Sequence, residues 1–250
     1  MDHSPADSAK RAAAKRALRM VEDGMTLGLG TGSTAAWFVR LLADRVAAEG
    51  LRIEGVATSS ATVRLCAEVG LPLTALGDAG PIDLTVDGAD EFDPDLNLIK
   101  GGGAALLQEK IVAASSRRMV VVADGGKRVA CLGAFPLPVE IVRFGWSVTK
   151  HAVEAVLTDM DVDARRVEPR MEGDAPLVTD EGHHILDLHL GRIGDAPALA
   201  AALNAVPGVV ESGLFIGMAD TVIVGLEDGG VEVLRRVPVG VAEEMMNQDA

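Results

Sequence analysis

The chain has 250 residues, 48% of them hydrophobic, with no apolar run of membrane-spanning length, so it can bury a sizeable core and is not expected to cross a membrane. Its formal net charge of −14 argues against a nucleic-acid-binding protein, which needs a basic face. The two isolated cysteines, Cys66 and Cys131, fit small core residues of a reduced, cytoplasmic protein better than a disulfide framework or a metal site.

The first half of the chain alternates apolar strands with helical patterns. The predicted strands are residues 25–30, 52–58, 81–90 and 118–124. The predicted helices are residues 8–22, 61–70 and 103–116, together with a longer one that begins at about Thr34. Alternation of this kind predicts a parallel sheet with helices on both faces.

From about Gly133 the pattern changes to the order β-α-β-β-α-β, which is the split βαβ arrangement of a small α+β, ferredoxin-like domain. Its predicted elements are residues 136–144, 147–160, 164–170, a strand after a turn at 180–182, then 196–208 and 209–215. A hairpin at 221–237 could rejoin the first sheet. We therefore predict an α/β chain with a Rossmann-like parallel sheet at 1–132 and 208–240, a small α+β domain at 133–207 and a loose tail at 241–250.

The segment GLGTGST, residues 28–34, follows the first strand and opens a helix. Ligands of open parallel sheets bind beyond the carboxyl ends of the strands. Glycines let a ligand approach the backbone there, and first-turn amides with the hydroxyls of Thr31, Ser33 and Thr34 offer donors to a phosphate. A dinucleotide fingerprint fails at its last position, and the next strand ends in Thr58 instead of an acid. A tight strand-to-helix turn without a ligand is the alternative.

Two aspartates, Asp87 and Asp90, leave the next apolar strand with two small residues between them. Aspartate in a turn commonly caps the backbone, which is the alternative to a ligand-binding role for either residue alone. The segment DPDLN at 93–97 superficially resembles a calcium loop, but Leu98 and Ala104 occupy the positions that require glycine and glutamate. The sequence therefore predicts no calcium site.

The most informative segment is KGGGAALLQE, in which Lys100 and three glycines precede Glu109. Glycines at the start of a helix indicate that something small and anionic comes close to the backbone. Helical spacing groups Glu109 with apolar residues, which are Ala105, Leu106, Val112 and Ala113. Desolvation on such a face raises the pKa of a carboxylate and makes it a proton acceptor near neutral pH. A rim glutamate paired with a lysine or arginine fits the same spacing.

A third strand end, VVVADGGKRV, carries Asp124 and Lys127. Lysine is scarce, six of the 23 basic residues, and both Lys100 and Lys127 lie in or beside glycine-rich loops. Because the net negative charge repels an anionic ligand, such a ligand requires local cations and amides. Lys127 also fits a solvated turn lysine.

Four segments together resemble ribose-5-phosphate isomerase of the type A family: GLGTGSTAAWFV, DGADEFDPDLNLIKGGGAALLQEKIVA, VADGGKRV and LGAFPLPVEIV. The resemblance runs from about residue 10 to residue 230, and DGADE followed by KGGGAAxxxEKI is its most specific part. It implies a Rossmann-like sheet with a small α+β domain, and an enzyme of the non-oxidative pentose phosphate pathway that interconverts D-ribose 5-phosphate and D-ribulose 5-phosphate. It also implies a homodimer or homotetramer that needs no cofactor or metal.

By motif position the resemblance assigns substrate contacts to Thr31, Gly32, Ser33 and Thr34 (mainly the phosphate), to Asp87, Gly88, Ala89 and Asp90, and to Lys100, Gly101, Gly102 and Gly103. It assigns a further substrate contact to Lys127 and the proton-acceptor role to Glu109, and it sets Lys10 near the phosphate. The chain departs from the family at Gly126, where many members have serine, which puts the geometry around Lys127 in doubt.

The implied reaction needs one base that takes a proton from C2 of the sugar and returns it at C1 of an enediolate, a task that suits Glu109. Asp87 and Lys100 are the candidate pair that manages the hydroxyl and carbonyl protons and stabilises negative oxygen. Asp90 is the candidate for positioning sugar hydroxyls. The histidines of the small domain are expected to be surface or sheet residues; they are His183, His184 and His189.

Two other classes of protein fit parts of the pattern. A coenzyme A transferase or an aminosugar-phosphate deaminase is an enzyme on a related Rossmann-like fold, and the transferase would need a glutamate free to form a thioester. A non-catalytic sugar-phosphate sensor would be expected to carry a basic DNA-binding segment, for which the roughly 24 residues before the first strand leave no room.

Overall fold

The structure is a computed structural model in which residues 4–236 are described, so the tail predicted at 241–250 lies outside them. The helices are α1 (Pro5–Leu18), α2 (Ser33–Glu49), α3 (Ser60–Val69), α4 (Leu106–Ala114), α5 (Trp146–Leu157) and α6 (Ala196–Asn204). The strands are β1 (Thr26–Leu29), β2 (Glu54–Ala57), β3 (Leu84–Asp87), β4 (Glu91–Phe92), β5 (Leu98–Ile99), β6 (Met119–Asp124), β7 (Leu137–Ile141), β8 (Arg166–Pro169), β9 (Met171–Glu172), β10 (Ala175–Pro176), β11 (His184–His189), β12 (Val209–Ser212), β13 (Leu214–Phe215), β14 (Thr221–Gly225) and β15 (Val231–Arg235). A 3-10 turn, Gly125–Lys127, follows β6.

Six strands form the central sheet in the order β15-β14-β6-β3-β1-β2. The pairs from β14 to β2 are parallel, and β15 is added antiparallel at one edge. Apolar side chains of α1, α2 and α3 pack on one face of this sheet, while Val112 and Ala113 of α4 are buried on the other side. The predicted α/β class and the return of the last hairpin to the first sheet are confirmed.

The second sheet has four antiparallel strands in the order β12-β7-β11-β8, covered by α5 and α6. Along the chain its elements run β7-α5-β8-β11-α6-β12, which is the predicted β-α-β-β-α-β order. A short hairpin of β9 and β10, which was not predicted, is inserted between β8 and β11. Because β12 pairs with β7, this sheet extends past residue 207, where the predicted small domain ends.

A third sheet has the order β13-β5-β4, and two of its strands, β4 and β5, have no counterpart among the predicted elements. The strand predicted at 209–215 is broken at Gly213, so that β12 belongs to the small sheet while β13 pairs with β5. A side chain at Gly213 would meet the carbonyl oxygen of Lys100 at 2.2 Å. The break therefore allows the chain to pass against the residue that follows β5.

The two cysteines differ in their surroundings. Cys66 is buried beneath α3 as predicted, and burial raises the pKa of its thiol to about 11. The prediction is wrong for Cys131, which is exposed because the segment between the 3-10 turn and β7 is a surface loop. Both thiols are free. None of the helices within residues 4–236 combines the length and the apolar character that a membrane crossing requires.

Candidate active site

A cavity of ≈ 410 Å³ opens at the carboxyl ends of β1, β3 and β6. It is lined by residues 31–34, 88–90 and 100–103, with Lys10, Glu109, Asp124, Gly126 and Lys127. The structure therefore brings together the three strand ends singled out in the sequence. Of the predicted site residues, Asp87 is the one that does not line the cavity.

Gly28 in β1 and Gly30, directly after that strand, serve packing within the protein. A side chain at Gly30 would meet Asp87 Oδ1 at 2.1 Å, and one at Gly28 would meet Thr85 Oγ1 at 1.9 Å. These glycines therefore let β1 lie directly against the side chains of β3. The sequence predicts that a ligand comes close to the backbone at these glycines, but in the structure the side chains of Thr85 and Asp87 do so. Gly32 is the glycine of this segment that lines the cavity.

The amino end of α2 faces the cavity. Gly32 has φ 101°, and the first hydrogen bond of the helix runs from the amide of Ala36 to its carbonyl at 2.9 Å. The amides of Ser33 and Thr34 therefore have no acceptor within the helix and can donate to an anion.

Thr31 lines the same cavity, but its polar hydrogens are already engaged. Its amide donates to Asp87 Oδ1 at 3.0 Å. Its hydroxyl lies 2.8 Å from the hydroxyls of both Thr58 and Ser59 and 3.1 Å from that of Thr62. The sequence predicts this hydroxyl as a ligand donor, whereas in the structure it lies in a cluster of protein hydroxyls.

Lys100 is held in place by the third sheet. It follows β5, and its amide donates to the carbonyl of Gly213 at 2.9 Å. Its ammonium donates to the carbonyl of Gly88 at 2.6 Å and lies 5.5 Å from the centre of the Phe215 ring. With only 2% of its surface exposed, Lys100 presents a buried, fixed positive charge to the cavity.

The three glycines lie in a loop before α4, whereas the predicted helix at 103–116 included the last of them, Gly103. The helix begins at Leu106 because Gly101 and Ala104 have left-handed backbones, with φ of 111° and 60°. A side chain at Gly101 would meet Leu106 at 2.8 Å, and one at Gly102 would meet Asp90 at 2.6 Å. Two of the glycines are thus required by close packing.

Glu109 lies on the first turn of α4, on the buried face predicted from its spacing. It is 4% exposed, and its Oε2 atom lies 3.3 Å from Lys100 Nζ. That oxygen has no hydrogen-bond partner among the described residues. Both interpretations of the sequence therefore hold in part, since the carboxylate is buried and also has a lysine beside it.

Asp87 lies behind Lys100 and is fully buried. Its Oδ2 atom is 3.0 Å from Lys100 Nζ, while Oδ1 accepts the amides of Thr31 and Gly88 at 3.0 and 2.7 Å. We had predicted a direct substrate contact for Asp87. In the structure it reaches the cavity only through Lys100.

Burial and mutual charge interactions shift the pKa values of Glu109 and Lys100. Desolvation, together with the negative charge of Asp87, raises the pKa of Glu109 to about 8, although Lys100 opposes the shift. Burial disfavours the charged form of Lys100, but the carboxylates of Asp87 and Glu109 outweigh it and raise the pKa of the ammonium. The site therefore combines a permanent cation with a carboxyl group that exchanges its proton near neutral pH.

The remaining polar groups also line the cavity. Asp90 accepts the amide of Gly102 at 2.7 Å. Asp124 caps the 3-10 turn by accepting the amide of Gly126 at 3.0 Å, which sets Lys127 at the edge of the cavity.

Lys10 also lines the cavity, although α1 is weakly diagnostic in sequence. Its position depends on how α1 docks, because a side chain at Gly225 would lie 1.8 Å from the carbonyl oxygen of Ala9. The absence of a side chain at the end of β14 lets α1 lie against the sheet. No local signal in the sequence predicts this contact.

Across the described part of the chain, no three His, Cys, Asp or Glu side chains are grouped as a metal ion would require. The histidines of the small sheet make other contacts: His183 Nδ1 lies 2.9 Å from Glu140, His184 Nδ1 lies 2.7 Å from the carbonyl of Leu177, and His189 Nε2 lies 3.3 Å from Glu168. Their predicted placement in or beside the sheet is confirmed.

Comparison with known proteins identifies the family. Residues 54–229 match the family of ribose 5-phosphate isomerase A (phosphoriboisomerase A). The ribose-5-phosphate isomerase A of Ruegeria pomeroyi is 60% identical over 240 residues, which cover 96% of this chain and 91% of that protein. These matches favour the isomerase over the transferase, deaminase and sensor hypotheses.

Solved structures agree with the sequence comparison. The ribose 5-phosphate isomerase of Plasmodium falciparum has a TM-score of 0.87 at 32% identity, covering 93% of this chain and 100% of that one. A D-ribose-5-phosphate isomerase in complex with phospho-erythronic acid has a TM-score of 0.85 at 40% identity, covering 91% and 97%.

Proposed function

The chain belongs to the ribose 5-phosphate isomerase A family, and we propose that it interconverts D-ribose 5-phosphate and D-ribulose 5-phosphate through an enediolate, with Glu109 as the base. One observation carries the assignment of the base. The Glu109 carboxylate borders the cavity, is buried beside a fixed cation, and has a pKa raised by burial to about 8. A base with this pKa exchanges protons efficiently near neutral pH.

The proposed reaction starts from the open-chain aldose. Glu109 takes the proton from C2, the C2–H electron pair forms a C1–C2 double bond, and the C1 carbonyl becomes an oxyanion. The proton of the C2 hydroxyl then passes to the oxyanion on C1. As the C2 oxygen becomes the ketone, the electrons of the C1–C2 double bond take up the proton that Glu109 returns to C1. Carbon and oxygen oxidation levels balance without an external oxidant or reductant.

Lys100 is the proposed electrophile. Its buried ammonium is fixed by Gly88 and lies 3.3 Å from Glu109, so it can stabilise negative oxygen next to the base. Each preorganised donor at a developing oxyanion lowers the activation barrier by roughly 3–4 kcal/mol. We assign Asp87 to positioning, because its contacts to Lys100 and to two backbone amides keep the ammonium in place.

The phosphate is proposed to bind at the amino end of α2. The amides of Ser33 and Thr34 are free of helical acceptors, and Lys10 and Lys127 line the same cavity. Three of the six lysines thus border one cavity in a chain whose net charge is −14, which supports local capture of an anion against the overall field. Asp90 also lines this cavity and is proposed to hold sugar hydroxyls.

A coupled assay tests the proposal. Ribose 5-phosphate supplied to the purified protein should yield ribulose 5-phosphate without added metal or cofactor, and the reverse reaction should proceed as well. Failure to form the ketose in either direction would contradict the proposed activity.

The predicted homodimer or homotetramer stays a proposal. It is supported by an apolar surface at the start of α5, where Phe144 is 93% exposed and Val148 is 73% exposed. Sedimentation of the protein at micromolar concentration tests it, and a monomer would contradict it.

A further inference from the structure

One arginine of the small sheet reaches across to the glycine loop of the cavity. Arg170 follows β8, and its Nη1 atom donates to the carbonyl of Gly101 at 2.7 Å and to that of Gly102 at 3.3 Å. The opposite edge of the guanidinium donates to both carboxylate oxygens of Asp187 on β11, at 2.9 and 2.5 Å. A guanidinium makes these four contacts through three nitrogens held in a fixed fork, which an ammonium cannot do.

These contacts set the direction of the loop amides. In a trans peptide the carbonyl and the following N–H point in opposite directions, and the described residues contain no cis peptide. Because the carbonyls of Gly101 and Gly102 face Arg170, the amides of Gly102 and Gly103 face away from it. The amide of Gly102 meets Asp90 Oδ2 at 2.7 Å, as this geometry requires.

The amide of Gly103, unlike that of Gly102, donates to no protein acceptor within residues 4–236, and Gly103 lines the cavity. It is therefore available to a substrate oxygen. Inside the loop, the amide of Ala104 donates to the carbonyl of Gly101 at 3.0 Å and closes a turn. A run of three glycines keeps high conformational freedom even so, and the contacts of Arg170 from outside the loop add to the constraint on its orientation.

We propose that Arg170 is a positioning residue for the isomerase reaction: it fixes the glycine loop so that Lys100 stays against Glu109 and the Gly103 amide faces the substrate. This inference rests on the proposed roles of Glu109 and Lys100. It gives the small sheet a part in catalysis, since Arg170 and its anchor Asp187 both belong to that sheet or its edge.

The test compares Arg170→Met with Arg166→Met, a control on β8 whose side chain is exposed and pairs with Glu168. Arg170→Met should lower kcat/KM by roughly tenfold to a hundredfold, the effect of losing hydrogen bonds from a charged donor. Arg166→Met should stay within about twofold of wild type, since exposed ion pairs contribute little. Arg170→Lys, which keeps the charge but not the fork, should recover only part of the loss.

A pH profile separates positioning from simple destabilisation. If the loop loosens, Lys100 retreats from Glu109, the pKa of Glu109 rises further, and the limb of kcat/KM that increases with pH shifts to higher pH. Arg166→Met should leave that limb in place. Asp187→Asn should shift the limb in the same direction as Arg170→Met. If Arg170→Met does not fold, the Asp187→Asn profile decides the test.

Wild-type kcat/KM in Arg170→Met, or a loss of activity in both Arg170 variants and Asp187→Asn with an unshifted pH limb, would overturn the inference. Failure of the proposed base is distinguishable. If Glu109→Gln kept its turnover while Arg170→Met lost it, the base assignment would be wrong and the positioning of the loop would stand.

Discussion

Two buried glutamates in different parts of this protein, one on a helix and one on a strand, show how burial alone differs from a reactive site. Glu109 on α4 and Glu140 on β7 are 4% and 1% exposed, and burial raises the pKa of both. Glu140 accepts hydrogen bonds from Thr179 Oγ1 and from His183, each at 2.9 Å. Glu109 Oε2 accepts none from the described residues.

The space in front of each carboxylate differs as well. Glu140 borders a pocket of ≈ 10 Å³, about the size of one water molecule, whereas Glu109 borders the cavity of ≈ 410 Å³. A buried acid whose protein partners are in place stabilises a fold. A buried acid that lacks hydrogen-bond donors, has a cation beside it and faces an open cavity is arranged to accept a proton from a ligand.

The largest expected effect comes from the same substitution at both positions. Glu109→Gln removes the proton acceptor and should lower kcat by roughly 10²- to 10⁴-fold, the range of general base catalysis. Glu140→Gln, the matched control, should keep kcat within about threefold of wild type because it touches no group of the reaction. Turnover of ribose 5-phosphate measures both, with circular dichroism to check the fold. Equal losses in the two variants would break the distinction.

Replacing the nitrogen-bearing side chain beside each glutamate sharpens the comparison. Lys100→Met should lower kcat/KM on the order of 10²-fold or more, because it deletes the buried donor proposed for the oxyanion. His183→Leu deletes a donor to Glu140 and should act on stability, with kcat/KM near wild type. Steady-state kinetics of the two variants, alongside their melting temperatures, give the answer, and an unaffected Lys100→Met would remove its proposed role.

The pH dependence of stability follows from the raised pKa of Glu109. The folded state releases this proton at about pH 8, whereas the ordinary value is 4.5. Between these values the unfolded chain has lost the proton and the folded chain has kept it, so rising pH favours unfolding. The unfolding free energy of Glu109→Gln relative to wild type should therefore increase from pH 5 to pH 8. Urea denaturation at several pH values measures it, and a difference that is constant or falls would show that the pKa is not raised.

The smallest effect is expected at Glu140. Glu140→Gln weakens the hydrogen bonds from Thr179 and His183 and should lower the unfolding free energy by about 1–3 kcal/mol at neutral pH. Part of that loss is offset, because a neutral amide avoids the cost of a buried charge. In acid, where both carboxyls are neutral, Glu109→Gln should change the melting temperature no more than Glu140→Gln does. A larger change for Glu109→Gln would contradict this assignment of roles.

The sequence predicts what local patterns control. Helical spacing identifies the buried face of α4 that includes Glu109, and strand–helix alternation identifies the strand ends that border the cavity. The position of Asp87 behind Lys100 and the cluster around the Thr31 hydroxyl depend on strand order, which local patterns do not contain. The contact of Arg170 with Gly101 joins residues 69 positions apart, so it required the structure.

The most direct test of the central claim, that Glu109 moves the proton between neighbouring carbons, is isomerisation in deuterated water followed by NMR of the products. The wild-type protein should place solvent deuterium at C1 of ribulose 5-phosphate and at C2 of ribose 5-phosphate. Glu109→Gln should lose this exchange together with turnover, while Glu140→Gln keeps both. Turnover and exchange that persist at the wild-type rate in Glu109→Gln would contradict the account.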